Sequence, residues 1–154
     1  GDPELVCNGG NNLLFIYDQA TDKIFKYSRR DQSITNQSLN ITQILKKENT
    51  PISLQADFEG SYLYASETGL LIFDNVLAYT KTLPVEEALS VFKQGKIVYF
   101  LFPNRISSYA ISGEKMQDYF HDIKSPKHLI VKNKTTFMIQ SANKIYTLVT
   151  PTAE

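Results

Sequence analysis

The chain repeats one pattern four times: a short apolar run, a tight polar turn, a second apolar run, another turn, and a third run opening on Ile or Leu. A unit that recurs at such a period cannot bury its apolar face alone, so successive copies must stack to share a core. The third runs give the firmest alignment. Lys23-Ile24-Phe25-Lys26-Tyr27, Gly69-Leu70-Leu71-Ile72-Phe73, Arg105-Ile106-Ser107-Ser108-Tyr109 and Lys144-Ile145-Tyr146-Thr147-Leu148 each place a basic residue or Gly before an aliphatic, with a large residue three positions on.

The second runs, Leu13 to Asp18, Ser61 to Ser66, Lys96 to Phe102 and Thr135 to Ser141, are rich in the aromatic and β-branched residues that fill a pleated surface. They reach the third runs through Gln19-Ala20-Thr21-Asp22, Glu67-Thr68-Gly69, Pro103-Asn104 and Ala142-Asn143. These links have hairpin length and hairpin chemistry. Shorter apolar runs stand upstream at Glu4 to Asn8, Ile52 to Asp57, Ala88 to Lys93 and His128 to Lys132. They enter the hairpins at Gly9-Gly10, Glu59-Gly60, Gln94-Gly95 and Asn133-Lys134, where Gly or Asn supplies a positive φ. Polar segments follow the first three hairpins, Ser33 to Asn40, Leu77 to Leu83 and Lys115 to His121, and read as outer edge strands.

The unit is an antiparallel meander of four strands recurring every 36 to 48 residues, about the length of a propeller blade. On these residues the whole chain resembles a β-propeller. The resemblance implies an all-β fold of about four blades, in units 4–45, 52–84, 88–122 and 128–150, the last lacking its outer strand. No Gly-His and Trp-Asp pair of a WD repeat, no repeated double Gly of kelch and no Trp docking motif of quinoprotein blades is present. The pattern is also similar to secreted propeller-like proteins of bacteria, which implies a periplasmic or extracellular setting. A β-sandwich or barrel of 15 regularly spaced strands is the competing architecture. The polar outermost strand of each unit favours blades, since a sandwich has no reason for a radial gradient.

Residues 1–154 read as one propeller-like domain, and the missing outer strand leaves its closure open. The chain is part of a longer ring, or two chains complete one another as a homodimer, or four blades close alone; Gly1-Asp2-Pro3-Glu4 reads as the start left after removal of an upstream segment. Sixteen basic and sixteen acidic residues cancel, so the excess positive charge of a nonspecific phosphate-backbone binder is missing and nucleic acid is not an expected partner. No run approaches the roughly 20 apolar residues of a membrane span. The single cysteine, Cys7, reads as a small apolar residue of the first strand.

Two segments depart from the repeat. Leu39 to Glu48 has Ile41, Ile44 and Leu45 at helical spacing after a possible N-cap, Asn40, and predicts one short helix. Leu83 to Ala88 is a connection in which Glu86 and Glu87 are solvated, not a catalytic pair. His121 and His128, with Asp118 and Asp122 nearby, lack the fixed spacing of a metal motif and read as solvated or partly packed imidazoles. No nucleophile elbow, phosphate loop or calcium loop occurs, so no catalytic, cofactor or metal residue is assigned. Three Asn-x-Ser/Thr matches, at Asn36, Asn40 and Asn133, are no more than chance supplies.

Nine Tyr and nine Phe, with no Trp, are mostly strand core: Phe15, Tyr17, Phe25, Tyr64, Phe73, Phe92, Tyr99, Phe137 and Tyr146 lie in the inner runs. Tyr79 and Tyr119 fall in outer strands and are the candidate interaction surface. The expected function is a noncatalytic scaffold or interaction module with a protein partner. The competing function is a segment of a secreted propeller that binds a small ligand or carbohydrate, or catalyses a reaction, at the central channel.

Overall fold

In the computed structural model residues 4–151 are described; Gly1-Asp2-Pro3 at the start and Thr152 in the closing run lie outside them. The fold is all-β apart from one helical turn, and its sheets are the blades of a β-propeller arrangement. The first blade is β1 (Glu4–Gly10), β2 (Leu13–Asp18), β3 (Lys23–Ser28) and β4 (Ser33–Gln37). After helix α1 (Ile41–Leu45) comes the second, β5 (Pro51–Ala56), β6 (Gly60–Ala65), β7 (Gly69–Asp74) and β8 (Tyr79–Leu83). The third is β9 (Ser90–Gln94), β10 (Ile97–Phe102), β11 (Arg105–Ala110) and β12 (Lys115–Phe120). The fourth has only β13 (His128–Asn133), β14 (Thr136–Gln140) and β15 (Ile145–Val149). Strands pair antiparallel with their sequence neighbours in all four sheets, so each is a simple meander. The predicted lack of an outer strand in the last blade holds among the described residues.

Contacts group the chain into two compact units, Gly1–Glu86 and Glu87–Glu154, each holding two blades. In the first, β1 lies against β5. Phe15, Tyr17, Ile24 and Ile41 share a core with Leu63, Leu71, Phe73 and Leu77, and Cys7 packs at its margin. Burial pushes the Cys7 thiol up to about 12, which makes it inert packing material. In the second unit β9 lies against β13, and Tyr99, Leu101 and Ile106 share a core with Leu129, Val131, Phe137 and Ile139. Side chains also stitch neighbouring blades through backbone groups. Lys26 Nζ donates to the Asn75 carbonyl at 2.8 Å, and the Ser90 hydroxyl accepts from Leu129 N–H at 3.1 Å.

The helix is capped as its sequence predicts, with the Asn40 side chain accepting from Gln43 N–H at 3.0 Å. What holds it in place was not legible locally. Asp22, in the β2–β3 turn, takes Thr42 N–H at 2.7 Å and the Thr42 hydroxyl at 2.6 Å on one carboxylate oxygen, and the Tyr17 hydroxyl at 2.7 Å on the other.

Two expectations need correction. Gly95 has the positive φ expected of its turn, at 61°, but Gly60 lies inside β6 and Asn133 inside β13 without one. Gly60 is required instead by close approach: a Cβ there would lie 2.0 Å from the Phe73 carbonyl oxygen. Tyr146, expected in the core, is exposed because β15 is an edge strand. Substituting Gly60→Ala is therefore expected to destabilise the protein by more than about 2 kcal/mol through backbone displacement. Gly95→Ala, whose Cβ would meet nothing within 4 Å, is expected to cost only the left-handed backbone penalty of about 1 kcal/mol. Urea midpoints of the two variants check the order.

Candidate interaction groove

The two outer-strand tyrosines sit in different surroundings. In the first unit Tyr79 stacks edge-on against Phe73, with centroids 5.8 Å apart, and its hydroxyl lies 2.7 Å from Thr82 Oγ1. It borders a shallow depression of about 540 Å³ beside α1, flanked by the exposed side chains of Leu39 and Val76. In the second unit Tyr119 on β12 packs over Phe137 of the next blade at 5.0 Å, and Tyr99 on β10 meets the same ring at 5.4 Å. Phe137 is thus held by two phenols from the neighbouring sheet.

Beside that trio opens a groove of about 640 Å³. Tyr99, Tyr119, Ile97 and Met116 give it an apolar floor, while Lys134, Thr135 and Thr150 give it a polar end. Met116 is mostly exposed, as an alternating residue of an outer strand must be on one face. The Tyr99 phenol is pushed above the ordinary tyrosine range, first by burial and then by the neighbouring Tyr119. Raised in this way, it stays a neutral hydroxyl at the buried side of the groove. The sequence alone marked Tyr119; Met116, Lys134 and Thr150 escaped it because only the packing of one blade on the next brings them together.

The histidines and aspartates near the blade connection do not assemble. His121 Nδ1 accepts from Ile123 N–H at 3.1 Å, which assigns its proton to Nε2, facing the Phe102 carbonyl at 3.1 Å. It borders an open hollow of about 650 Å³ with Asn104, Asp122 and Lys124. Asp118 is occupied elsewhere: Ser107 donates to it at 2.6 Å, Lys115 pairs with it at 2.9 Å, and Arg105 Nε stands at 3.8 Å. The Ser107 hydroxyl and then Lys115 hold its carboxyl below the usual range. His128 opens β13, exposed. Among the described residues no three His, Cys, Asp or Glu side chains converge as a metal site.

The cancelling total charge hides a segregation along the chain. Glu48, Asp57, Glu59, Glu67, Asp74, Glu86 and Glu87 face a single basic residue, Lys81, between positions 48 and 87. Between Asp122 and Glu154 the balance reverses, with Lys124, Lys127, Lys132, Lys134 and Lys144 and no carboxylate side chain. All five lysines are exposed. This signal was readable in the sequence by blade; summing the whole chain erased it.

No family model matches the chain, and no curated protein matches it. Solved structures do. It is similar to the computationally designed Ika4 protein, with 11% identity, a TM-score of 0.68, and coverage of 97% of this chain and 93% of that one. It is similar to hydrazine synthase of Kuenenia stuttgartiensis, with 15% identity and a TM-score of 0.69, over 94% of this chain and 45% of the other. The Neurospora crassa Pan2 WD40 domain matches with 8% identity and a TM-score of 0.65, over 94% of this chain and 48% of the other. The chain therefore spans about half the length of these two natural structures. At such identities the likeness shows the fold alone.

Tyr17 and Tyr62 share the upward displacement of Tyr99; burial is the main cause for each, followed by Asp22 for Tyr17 and Asp57 for Tyr62. A phenol whose folded value lies above its unfolded value of about 10 leaves stability intact below that pH and removes it as the pH rises toward the folded value. The urea midpoint is expected to be flat up to about pH 9.5 and to fall above it. The fall should be shallower in Tyr99→Phe, which keeps the ring on Phe137 but has no proton to lose. Identical slopes for wild type and variant would refute this assignment.

Proposed function

We propose that the chain is a noncatalytic protein-interaction or scaffold module built on β-propeller blades, with the Tyr119 groove as its principal contact surface. The observation that carries this reading is the groove itself: half-buried Tyr119 and exposed Met116, set against buried Tyr99 and Phe137, beside exposed Lys134. Aromatic and Met side chains with a polar rim are the composition that anchors protein partners. Tyr79, with exposed Leu39 and Val76, forms a second, smaller contact patch in the first unit.

A random-peptide library displayed on phage tests the groove with no partner assumed. Binders selected on the wild type should lose at least about tenfold in affinity for a Met116→Asp, Tyr119→Ser variant, the usual loss when an anchor is removed. Far-ultraviolet dichroism should show that the variant keeps its fold. Selected binders indifferent to the double substitution would place the contact surface elsewhere and overturn the reading.

One partner is a second copy of the chain. In the first three blades the aliphatic that opens the third run is buried: Ile24 is 0% exposed, Leu70 2% and Ile106 0%. Its counterpart Ile145 is 65% exposed, on the same face as exposed Ile130, and exposed Val6 and Ile34 share the free face of the first blade. These are the two halves of a blade-to-blade interface, carried by a chain half as long as the natural structures it resembles. Light scattering should give twice the 17.5 kDa chain mass, and Ile130→Lys should halve it. A wild-type mass of 17.5 kDa at all concentrations overturns the homodimer.

A further inference from the structure

Among the described residues β15 matches the third strands of the other blades and is the outermost strand of its own. The outermost strands of the second and third blades carry charge, Lys81 in Tyr-Thr-Lys-Thr-Leu and Lys115 and Asp118 in Lys-Met-Gln-Asp-Tyr-Phe, and that of the first, Ser-Ile-Thr-Asn-Gln, is uncharged but polar; β15 reads Ile-Tyr-Thr-Leu-Val, mostly apolar, with no charge and no proline. Exposed edges are ordinarily blunted by charge or proline, because a bare apolar edge recruits another strand.

The hydrogen-bond phase of that edge follows from its pairing. Thr150 N–H donates to the Thr135 carbonyl at 2.7 Å and Ser141 N–H to the Lys144 carbonyl at 2.9 Å, with an unbroken register between them. Bonded and non-bonded pairs alternate in an antiparallel ladder, so Tyr146 and Leu148 also bond to β14. The N–H and C=O groups of Ile145, Thr147 and Val149 therefore point to the open side. The complete blades confirm the phase independently. Ile24, aligned with Ile145, turns its backbone groups outward, its carbonyl accepting from Ser38 N–H at 2.8 Å and its N–H donating to the Ser38 hydroxyl at 2.9 Å.

We infer that this edge takes an extended, acidic segment of a partner protein as the blade's antiparallel fourth strand. The backbone chemistry demands a polypeptide, since it offers a row of alternating donors and acceptors at strand spacing. The blade's charge selects the sign. Lys144 stands at the start of β15 and Lys134 beside its end, in the turn next to Thr135, within a blade that holds no carboxylate. The complete blades set the side-chain pattern: Leu83 and Tyr119 lie opposite the residues aligned with Ile145, and Asn36, Lys81 and Gln117 lie opposite those aligned with Thr147. The preferred segment thus has a large apolar residue facing Ile145 and a polar or acidic one facing Thr147.

This rests on the interaction reading but not on the groove, whose library readout stands or falls separately. The probe is a fluorescein-labelled, end-blocked octapeptide of glutamate, threonine, valine and tyrosine in which a tyrosine stands two positions after a glutamate, the spacing that faces them to Ile145 and Thr147, titrated by anisotropy against the full chain. Saturable binding is expected, weakened at least about tenfold by Thr147→Pro, which removes the central outward donor where an edge strand tolerates proline. A lysine-for-glutamate version of the peptide should not bind. Hydrogen exchange supplies a readout that needs no variant: peptide should slow Thr147 and Val149 amides, while those of Tyr146 and Leu148 are already slow without it. Absence of binding overturns the inference. So does equal binding by Thr147→Pro, equal binding of a single-stranded oligonucleotide of the same charge, or protection of the Thr147 amide before peptide is added, which would mean that a second copy already occupies the edge.

Discussion

Every other feature of this protein depends on the packing of one meander sheet against the next through their apolar faces. A four-stranded meander has two faces, and hydrogen bonding within the sheet does nothing to bury either. Phe137 shows the consequence. Its own blade supplies the backbone that places it, but Tyr99 and Tyr119 of the neighbouring blade remove it from water. Leu63 and Leu71 stand in the same relation to Phe15 and Tyr17 in the first unit. Removing about 25 cal/mol per Å² of apolar surface from water is what offsets the ordering of so many short strands.

What was legible in the sequence was local. The fourfold recurrence of short apolar runs gave all fifteen strands to within a few residues, and turn chemistry gave the hairpins between them. Asn40 marked the helix start because a cap acts three residues away. What failed was nonlocal. Gly60 looks like a turn residue by composition, yet its role is set by a carbonyl thirteen residues later across the β6–β7 pair. Tyr146 has the composition of core and lies exposed, because whether a strand is interior depends on its neighbours. The groove was half legible: Tyr119 stood out as an aromatic in a polar strand, but its partners come from another blade.

Charge followed a different rule. Summed over the chain the charges cancel, although electrostatic attraction falls off within about 10 Å and is felt blade by blade. The acidic side chains of the second blade are partly absorbed by their own turns: Asp57 accepts from Glu59 N–H at 2.9 Å, and Asp74 from Val76 N–H at 3.0 Å. The lysines of the fourth blade have no such use. None forms an ion pair among the described residues, so their field is directed at whatever approaches.

Those lysines admit a plainer account, in which they only guard an apolar edge against self-association. Guarding requires charge on the edge itself, where an incoming strand would bring its own equivalent charge into contact. Here Ile145 to Val149 carries none, and Lys144 and Lys134 stand off its two ends. That placement repels a second basic edge only weakly and leaves the central donors and acceptors clear. It does, however, hold positive charge where the two ends of an added strand would lie. Like-charge flanks with an uncharged, hydrogen-bonding centre discriminate among strands by sign without closing the edge to all of them, which is the requirement for recognition and not for protection.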